Sequence, residues 1–484
     1  MSRRAALFLI LAVWVAIYLP SLGLFEIKGE EGRRILPGMA MLESGNYLVP
    51  QVGGEDYFRK PPLINWLVAG SFKLFRVRNE WTARAPSVLC VLAVAIAFVT
   101  VARRSLGASG SVIAGLVWLT NVGILQKGRL IEIEALYVSL CALAVIFWLS
   151  WWREQRSPWL TWIVPWIFLG LGWLAKGPTH LFFFYAVVVA LLWQTKQWRL
   201  LFHPAHFVGL AMMLGIFGAW AIPFMQANDS GKVMNKWSTQ FTGRVTGEIF
   251  TFSVWITVLP RAVAYLLPWV LLAPLIRFQT FREEFDGRTA RGLIWGAAVP
   301  LIIVSLMPGS APRYSLPAVA PFCWLIGMVL AENAVAEPAW LMWRRGPRWL
   351  DGLGGPLFQG VGRLFVILAL AAGLIGYPVA AIAATHRQKV KNIADKINAV
   401  VPSTETLYAV DPNYQPFFFY MHAPVKYVSS VEELPWETRY FVVRPVDEKD
   451  ALDSQKWAPR HARSILRVKD YRDQTVIVFL VDAP

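Results

Sequence analysis

Two adjacent carboxylates and several cations share one polar stretch, residues 26–83, near the start of the chain. Glu30 and Glu31 lie in a Gly-Glu-Glu-Gly-Arg-Arg run that also contains Arg33, and Lys60 follows further along. Transfer of a group to a hydroxyl or amine needs a carboxylate that accepts the proton. Departure of a phosphate needs cations that stabilise its negative charge. The stretch holds the residue types for both steps, although the spacing alone also fits a solvated loop with local salt bridges.

Two further cations interrupt apolar sequence. Lys176 lies in a Leu-Ala-Lys-Gly-Pro turn, and Arg313 begins an Arg-Tyr-Ser-Leu-Pro segment. A lysine at membrane depth is costly and usually has a partner. The planar fork of an arginine suits a phosphate, to which it donates two parallel hydrogen bonds. A lipid phosphate is the natural partner for both, and positions at the ends of membrane spans are the alternative explanation.

The composition requires a membrane protein. Hydrophobic residues make up 56% of the 484 residues, charged residues make up only 16%, and the mean hydropathy is +0.46. A soluble domain carries about a quarter charged residues. The net charge of +16 lies largely in short loops between apolar blocks, so it marks topology and not a nucleic-acid partner. The three cysteines and six histidines form no disulfide framework and no paired metal motif.

The apolar blocks predict a mainly α-helical, polytopic transmembrane bundle of about eleven helices. The predicted spans are 5–25, 84–101, 111–127, 134–151, 159–174, 178–193, 206–225, 257–277, 290–306, 314–331 and 361–384. With a cytoplasmic N-terminus, every cytoplasmic loop is basic, as the positive-inside rule demands. These loops carry Arg103 and Arg104; Arg153 and Arg156; Lys196 and Arg199; Arg277, Arg282 and Arg288; and Arg344, Arg345 and Arg348.

The opposite face receives the 26–83 loop and the polar tail. We predict a transmembrane domain over 1–384 and a small α/β domain over 385–484. Strand-like runs at 406–410, 439–443 and 475–481, and a helical start at 386–400, support the α/β assignment. The first outer loop is expected to contain amphipathic helices, beginning at 35–43.

The first outer loop resembles that of the lipid A aminoarabinose transferases and their relatives among the bacterial protein O-mannosyltransferases, which are membrane-embedded GT-C glycosyltransferases. Their pattern is an acidic pair, x-Arg, an amphipathic helix, and Tyr-Phe-x-Lys-Pro-Pro-Leu-x-x-Trp. The chain matches it at Glu30, Glu31, Arg33, Tyr57, Phe58, Lys60, Pro61, Pro62 and Trp66, with Asn79-Glu80 and Ala83-Arg84-Ala85-Pro86 before the second span. The first acidic position, usually Asp in the family, is Glu30, which leaves open which glutamate is the base.

The resemblance implies a role for each matched residue. Glu30 and Glu31 are the catalytic candidates, and we favour Glu30 because it occupies the position of the family's aspartate. The remaining assignments are Lys60, Lys176, Arg313 and Arg33 for the donor phosphate, and Tyr57, Arg84, Glu132 and Tyr314 as supporting residues. Glu132 could orient catalytic groups or bind a metal. No cofactor is certain, and a divalent ion of the kind bound by some relatives stays open because its ligands are not evident.

The expected reaction is an inverting transfer of a sugar from a polyprenyl-phosphate carrier to a lipid, glycan or protein acceptor. It would take place in a multi-pass protein of the bacterial inner membrane, on the periplasmic face, with membrane lipids as neighbours and no nucleic acid. A transporter or flippase for lipid-linked or anionic substrates is the main alternative, and it should show repeated halves with matching broken helices. A non-catalytic assembly subunit is a third reading, and it would tolerate loss of the carboxylate pair.

The topology leads to a first prediction. Cysteines introduced at Asn46 and Asp453 should both react with a membrane-impermeant thiol reagent added from the non-cytoplasmic side, because the first outer loop and the tail share that face. Labelling of both positions only from the cytoplasmic side would refute the topology.

Overall fold

The computed structural model describes residues 1–245, 250–336, 360–385, 389–412, 415–453, 460–470 and 473–482. The chain divides into two compact units. The first comprises 1–20, 59–63 and 85–379, and the second comprises 21–58, 64–84 and 380–484. Apart from residues 59–63, the first outer loop is thus assigned to the same unit as the tail. The predicted domain boundary at 384 stays a prediction.

The chain is mainly helical. The helices in chain order are α1 (Arg3–Tyr18), α2 (Gly32–Ser44), α3 (Leu63–Phe75), α4 (Glu80–Thr100), α5 (Arg103–Thr120), α6 (Val122–Lys127), α7 (Ile133–Arg153), α8 (Pro158–Ala175), α9 (His180–Thr195), α10 (Pro204–Gln226), α11 (Ser230–Val245), α12 (Phe252–Trp255), α13 (Val258–Ala264), α14 (Glu284–Leu306), α15 (Val319–Ala331), α16 (Gly360–Ala371), α17 (Tyr377–Thr385), α18 (Val390–Asn398) and α19 (Glu448–Asp453).

The prediction of a polytopic helical membrane protein is confirmed. Within the described residues, six helices are long and apolar enough to cross a membrane. They are α4, α7, α8, α10, α14 and the segment Pro312–Ala331, and α3, α9 and part of α16–α17 are shorter apolar helices. Helices suit this setting because they satisfy every backbone polar group internally, where no water is present to do so. The basic loop with Arg344, Arg345 and Arg348 lies outside the described residues.

Three predicted spans differ from the observed helices, each next to a helix-breaking residue. The first helix ends at Tyr18, two residues before Pro20. Instead of one span over 257–277, the segments Phe252–Ala264 and Trp269–Leu275 meet at a bend of 83°. Pro268 immediately precedes the second segment and cannot donate a helical N–H. Before the predicted 111–127 span, α5 bends at Gly107, whose φ is +71°, and Asn121 caps the separate helix α6.

The helices of the first unit pack closely where small residues meet. A Cβ built on Gly296 of α14 would lie 2.7 Å from the Cα of Val187 in α9, and one built on Gly292 would lie 2.9 Å from the Leu191 side chain. In lipid the hydrophobic effect does not drive helices together, so van der Waals contact between closely approaching backbones supplies the attraction. The two glycines therefore allow α9 and α14 to lie in direct contact.

The second unit contains the small α/β domain that was predicted. Two short strands, β1 (Gln51–Val52) and β2 (Glu55–Asp56), form a hairpin in the loop. The tail contributes β3 (Leu407–Val410), β4 (Val425–Val428), β5 (Tyr440–Val443), β6 (Ala462–Lys469) and β7 (Thr475–Val481). They form one sheet in the order β4-β3-β5-β7-β6, with β3 parallel to both its neighbours and β7 antiparallel to both of its own. Sequence patterning missed β4 and β6, both of which lie at the edges of the sheet.

Loop and tail share one hydrophobic core in this unit. Leu36, Val52 and Tyr57 from the loop are buried in the same cluster as Ile393 of α18 and Phe417 of the tail. The loop is short for a core of its own, whereas the tail also forms a second cluster that includes Phe441 and Phe479. The apolar face of α2 is therefore covered by residues that lie more than half of the chain away.

A buried carboxylate starts α18. Glu26 is 3% exposed, and its oxygens accept hydrogen bonds from the backbone N–H groups of Lys389 at 2.8 Å, Val390 at 2.7 Å and Lys391 at 3.0 Å. An anion at this end of a helix satisfies donors that have no intrahelical partner and interacts favourably with the helix dipole.

A tyrosine supplements this contact. The Tyr420 hydroxyl accepts from the Ile27 N–H at 2.7 Å and donates to Glu80 at 3.0 Å. Burial is the main cause that raises the pKa of Tyr420, so the hydroxyl stays protonated and keeps donating to Glu80. Lys391 forms an ion pair with the same glutamate.

Removing the Glu26 carboxylate should loosen the start of α18. In Glu26→Ala, one buried and two partly buried N–H groups lose a charged acceptor, at a cost of about 1–3 kcal/mol each at most. We expect the amides of Val390 and Lys391 to exchange with deuterium at least tenfold faster than in the wild type. Glu55→Ala removes an exposed carboxylate from the same loop and should leave these rates unchanged. Equal protection in Glu26→Ala and the wild type would contradict the assignment.

Candidate functional site

The Glu30-Glu31 pair lies in a tight turn. Gly29–Glu31 form a single 3-10 turn before α2, and Gly29 has a φ of +58°, which only glycine adopts without strain. On an extended segment the two side chains would alternate between opposite sides. In the turn, the two glutamates instead engage different arginines.

Glu30 is the more accessible carboxylate. Its two oxygens accept from the Arg33 Nη1 at 2.9 and 3.2 Å and from the Arg34 Nη2 at 3.4 Å, and a third of its side chain is exposed. Arg33 and Arg34 lie three and four residues further along, the spacing that brings helical side chains together. The turn therefore presents an oriented carboxylate that solvent or a substrate can reach.

Glu31 is held by a buried bidentate ion pair. The Arg84 Nε and Nη2 each donate to one Glu31 oxygen at 2.8 Å, and both residues are 1% exposed. The remaining three N–H groups of Arg84 donate to backbone carbonyls, those of Leu22, Phe25 and Glu26, at 2.8, 2.8 and 3.1 Å. All five donors of the guanidinium are thus used. Both Glu31 oxygens are engaged in fixing the loop.

Tyr57, predicted as a supporting residue, holds α2 in place. Its buried hydroxyl accepts from the Arg34 Nη1 at 2.9 Å. The Asn65 amide donates to the Arg34 carbonyl at 2.8 Å. Arg34 therefore connects the Tyr57 ring to the exposed Glu30 carboxylate, so the aromatic residue indirectly orients that carboxylate.

In the first unit, two of the predicted phosphate-binding cations meet at one carboxylate. The Lys176 Nζ lies 3.1 Å, and the Arg313 Nε 3.3 Å, from the same Glu134 oxygen. The Lys176 Nζ also lies 5.0 and 4.9 Å from the ring centroids of Tyr137 and Tyr314, within cation–π distance. Two positive charges thus meet at one carboxylate, an arrangement that suits an anionic ligand.

The Lys-Gly-Pro turn places Lys176 in this cluster. α8 ends at Ala175, and the next residues leave the helical conformation. Gly177 has a φ of +134°, a conformation open only to glycine. Pro178 then leads into α9, where the buried His180 ring contacts the Gly177 carbonyl at 2.9 Å. The turn is thus fixed by its glycine and by its contact with the next helix.

Sequence reasoning did not single out Glu134. The residue chosen in that segment, Glu132, instead pairs with Lys127 at 2.8 Å. The signal was available, since Glu134 opens the predicted 134–151 span and a carboxylate within a membrane segment needs a partner. The same rule applied to Lys176. Considering Glu134 and Lys176 together would have predicted the ion pair between them.

A cavity of about 150 Å³ lies beside Lys176. Arg59, Lys60 and Lys176 contribute cations to its lining. Its aromatic residues include Trp173 and Phe217, whose rings stack at 4.7 Å, and Trp237 of α11. Cations and aromatic faces in one cavity suit a ligand with an anionic group attached to an apolar or ring-shaped part. Lys60, the third predicted phosphate ligand, thus lies in the same cavity as Lys176.

A metal site is not evident in the described part of the chain. There, no group of three or more His, Cys, Asp or Glu side chains is arranged to hold a metal ion. Binding of a divalent ion, which some relatives of the resembled family show, stays a prediction for this chain.

The chain is similar in sequence and in fold to several known proteins. The dolichyl-phosphate-mannose-protein mannosyltransferase family profile matches residues 59–222. Undecaprenyl phosphate-alpha-4-amino-4-deoxy-L-arabinose arabinosyl transferases 2 and 1, from two strains of Pseudomonas fluorescens, are 28% and 27% identical over 70% and 78% of this chain. The chain spans 62% and 65% of their length. A crystal structure of ArnT from Cupriavidus metallidurans bound to undecaprenyl phosphate matches with a TM-score of 0.72 and 19% identity over 97% of both chains.

The chain has the GT-C fold. The resemblance to the aminoarabinose transferases, first seen in the outer-loop motifs, is confirmed by these similarities. The predicted site residues fall into two sets. The first unit holds Lys60, Glu132, Lys176, Arg313 and Tyr314, and the second unit holds Glu30, Glu31, Arg33, Tyr57 and Arg84.

The Glu134 cluster predicts a specific coupling in stability. Lys176→Ala leaves the buried Glu134 with less compensating charge, so it should destabilise the protein more than the double variant Lys176→Ala/Glu134→Gln does. We expect a coupling free energy of about 1–3 kcal/mol in a double-mutant cycle measured by unfolding in detergent. The exposed Arg288–Glu284 pair provides the matched control cycle, which should yield about 0.5 kcal/mol or less. Equal couplings in the two cycles would contradict the cluster.

Proposed function

We propose that the chain is an inverting glycosyltransferase that moves a sugar from a polyprenyl-phosphate carrier to an acceptor hydroxyl or amine. The observation that carries the proposal is the meeting of Lys176 and Arg313 at one oxygen of Glu134, beside a cavity that Lys60 also lines. A phosphate is the group that such a cluster of cations suits.

In the proposed reaction, Glu30 takes the proton of the acceptor O–H or N–H. The acceptor atom then attacks the anomeric carbon from the face opposite the phosphate, and a new glycosidic bond forms with inversion. The bond between the anomeric carbon and the phosphate oxygen breaks, and its electron pair stays on the polyprenyl monophosphate. Lys60, Lys176 and Arg313 stabilise that leaving group electrostatically. The reaction therefore needs no nucleotide, because the energy of the glycosyl phosphate drives it.

The proposal assigns different roles to the two glutamates. Glu31 uses both oxygens on Arg84 and is buried, so it positions the turn. Glu30 is partly exposed and is oriented by Arg33 and Arg34. This geometry favours Glu30 as the general base, as its position in the motif suggested. Arg33, which the resemblance assigned to the donor phosphate, is more directly placed to orient Glu30.

The relatives suggest which donor to test first. Their names specify undecaprenyl phosphate-alpha-4-amino-4-deoxy-L-arabinose, and we propose the same class of carrier for this chain. A lipid, a glycan and a protein are all acceptors for the assay, with lipid A the first to test. The proposed setting is the bacterial inner membrane, with the reaction on the periplasmic face.

A transporter is less well supported. Such a protein should carry matching broken helices in two repeated halves. In the described part of the chain, a single broken pair of helices is long and apolar enough to span together, Phe252–Ala264 with Trp269–Leu275. Among the described residues, the transporter interpretation therefore lacks the matching second pair of broken helices that it requires.

Substitutions of the two glutamates should separate chemistry from structure. Glu30→Gln should lower the transfer rate at saturating donor by about 10²–10⁴, because the amide cannot take a proton. Its unfolding temperature in detergent should stay near that of the wild type. Glu31→Gln breaks a buried ion pair and should lose about 3–5 kcal/mol of stability. Glu30→Asp, which keeps a carboxylate, should retain more activity than Glu30→Gln.

The assay follows a labelled sugar from purified undecaprenyl-phosphate donor into lipid extracts, glycans and proteins. If Glu30→Gln transfers normally while a stable Glu31→Gln is inactive, the two roles are exchanged. Full activity in both variants would place the base elsewhere. Failure of the wild type with every donor and acceptor, in a preparation that still binds undecaprenyl phosphate, would count against transfer itself.

A further inference from the structure

A second, larger cavity lies at the other end of the helices that carry Lys176. It has a volume of about 950 Å³, and its lining includes Arg156, Lys196, Arg199, Trp152, Trp198 and His203. α8 begins at this cavity with Pro158 and ends just before Lys176. Eighteen helical residues span about 27 Å, close to the thickness of the hydrocarbon core of a bilayer. The cavity therefore belongs to the membrane surface opposite the Lys176 cluster, which the topology predicts to be cytoplasmic.

The cavity has excess positive charge. Arg156 donates to Glu154 at 2.7 Å. Within the described ranges, Lys196 and Arg199 form no ion pair, and both are exposed. Lys196 ends α9 with a φ of +59°, so the chain turns sharply there towards Arg199. Two uncompensated cations thus lie in one short loop that lines a concave site.

Two helix N-termini add to this potential. Pro158 begins α8, and His203 caps α10 by accepting from the Ala205 N–H at 3.1 Å. Both residues line the cavity. The N-terminal end of a helix carries partial positive charge and donors without intrahelical partners, which suits an anion. The helix ends and the side-chain cations therefore favour the same kind of ligand.

Aromatic and apolar side chains surround the charged part. The Trp152 Nε1 donates to the Gln197 side chain at 2.8 Å, and Trp198 contacts Trp193 edge-on at 5.5 Å. Next to lining residues, Trp159, Trp193 and Phe202 are 49%, 66% and 74% exposed. Tryptophans favour the level of lipid headgroups, and exposed apolar rings here can contact acyl chains. A soluble anion would use the cations but not these rings.

We propose that this cavity binds the phosphodiester headgroup of an anionic phospholipid, such as phosphatidylglycerol, in the leaflet opposite the candidate active site. Lys196 and Arg199 contact the phosphate, and the N-termini of α8 and α10 face the same negative charge. The exposed rings contact the acyl chains of the lipid. The site is distinct from the polyprenyl-phosphate site, because it lies at the other end of α8. Basic pockets between membrane helices on the cytoplasmic side are typical sites for such lipids.

The test measures lipid binding to the full-length protein by native mass spectrometry in detergent. Lys196→Gln/Arg199→Gln should bind phosphatidylglycerol roughly 30-fold more weakly than the wild type, since each cation contributes about a factor of five. Arg104→Gln/Arg282→Gln removes two exposed charges from the same predicted face but outside the cavity, and its binding should stay within about twofold of the wild type. Phosphatidylcholine, which is neutral overall, should bind all three proteins weakly and alike.

Inorganic phosphate and glycerol 3-phosphate distinguish a lipid from a soluble anion. Neither compound should displace phosphatidylglycerol at millimolar concentrations if the acyl chains of the lipid contribute to binding. Displacement by inorganic phosphate, equal losses in both double variants, or no preference over phosphatidylcholine would each overturn the proposal. Unfolding temperatures without added lipid, equal within about two degrees, confirm that the exposed substitutions leave the fold intact.

Discussion

The buried ion pair between Glu31 and Arg84 is the interaction on which the carboxylate loop depends. One guanidinium binds the turn at Glu31, the segment after α1 through three carbonyls, and its own helix α4 through the covalent chain. An isolated charge in this environment would be very unfavourable, and only the complete set of partners makes it tolerable. The turn that presents Glu30 is thus fixed by its neighbour, which explains why the two adjacent acidic residues differ in burial and in partners.

In the first unit, too, a buried charge is compensated by partners of opposite sign. Lys176 and Arg313 come from segments far apart in the sequence, and both contact the same oxygen of Glu134. A site that binds an anion must hold its cations together before the anion arrives. A shared carboxylate reduces their mutual repulsion, although it also competes with the incoming phosphate. The balance between these effects sets how tightly such a site can hold an anion.

The sequence predicted the helices better than their interruptions. Long apolar runs and basic loops were sufficient for a polytopic fold, and ordered motifs indicated Glu30, Lys176 and Arg313 as candidates. The break at Pro268 was missed because the predicted 257–277 span is apolar overall. That hydropathy outweighed the helix-breaking effect of a single proline. Glu134 was missed because each charged residue was considered alone, whereas a pair within the membrane becomes evident only when both members are considered. The edge strands β4 and β6 are short or mostly exposed, so their patterns are weak.

The shared core of loop and tail has a consequence for biosynthesis. Glu26 and Lys389 are 363 residues apart in the sequence, yet they bond directly. At ribosomal speed, that interval takes on the order of tens of seconds. During this time α2 has left the ribosome while the residues that cover its apolar face do not yet exist. The apolar face of α2 therefore stays exposed, or bound by a chaperone, until the membrane helices between the loop and the tail have been inserted. A truncated chain that ends before α18 would contain every candidate site residue and still leave this loop without the tail residues that cover it.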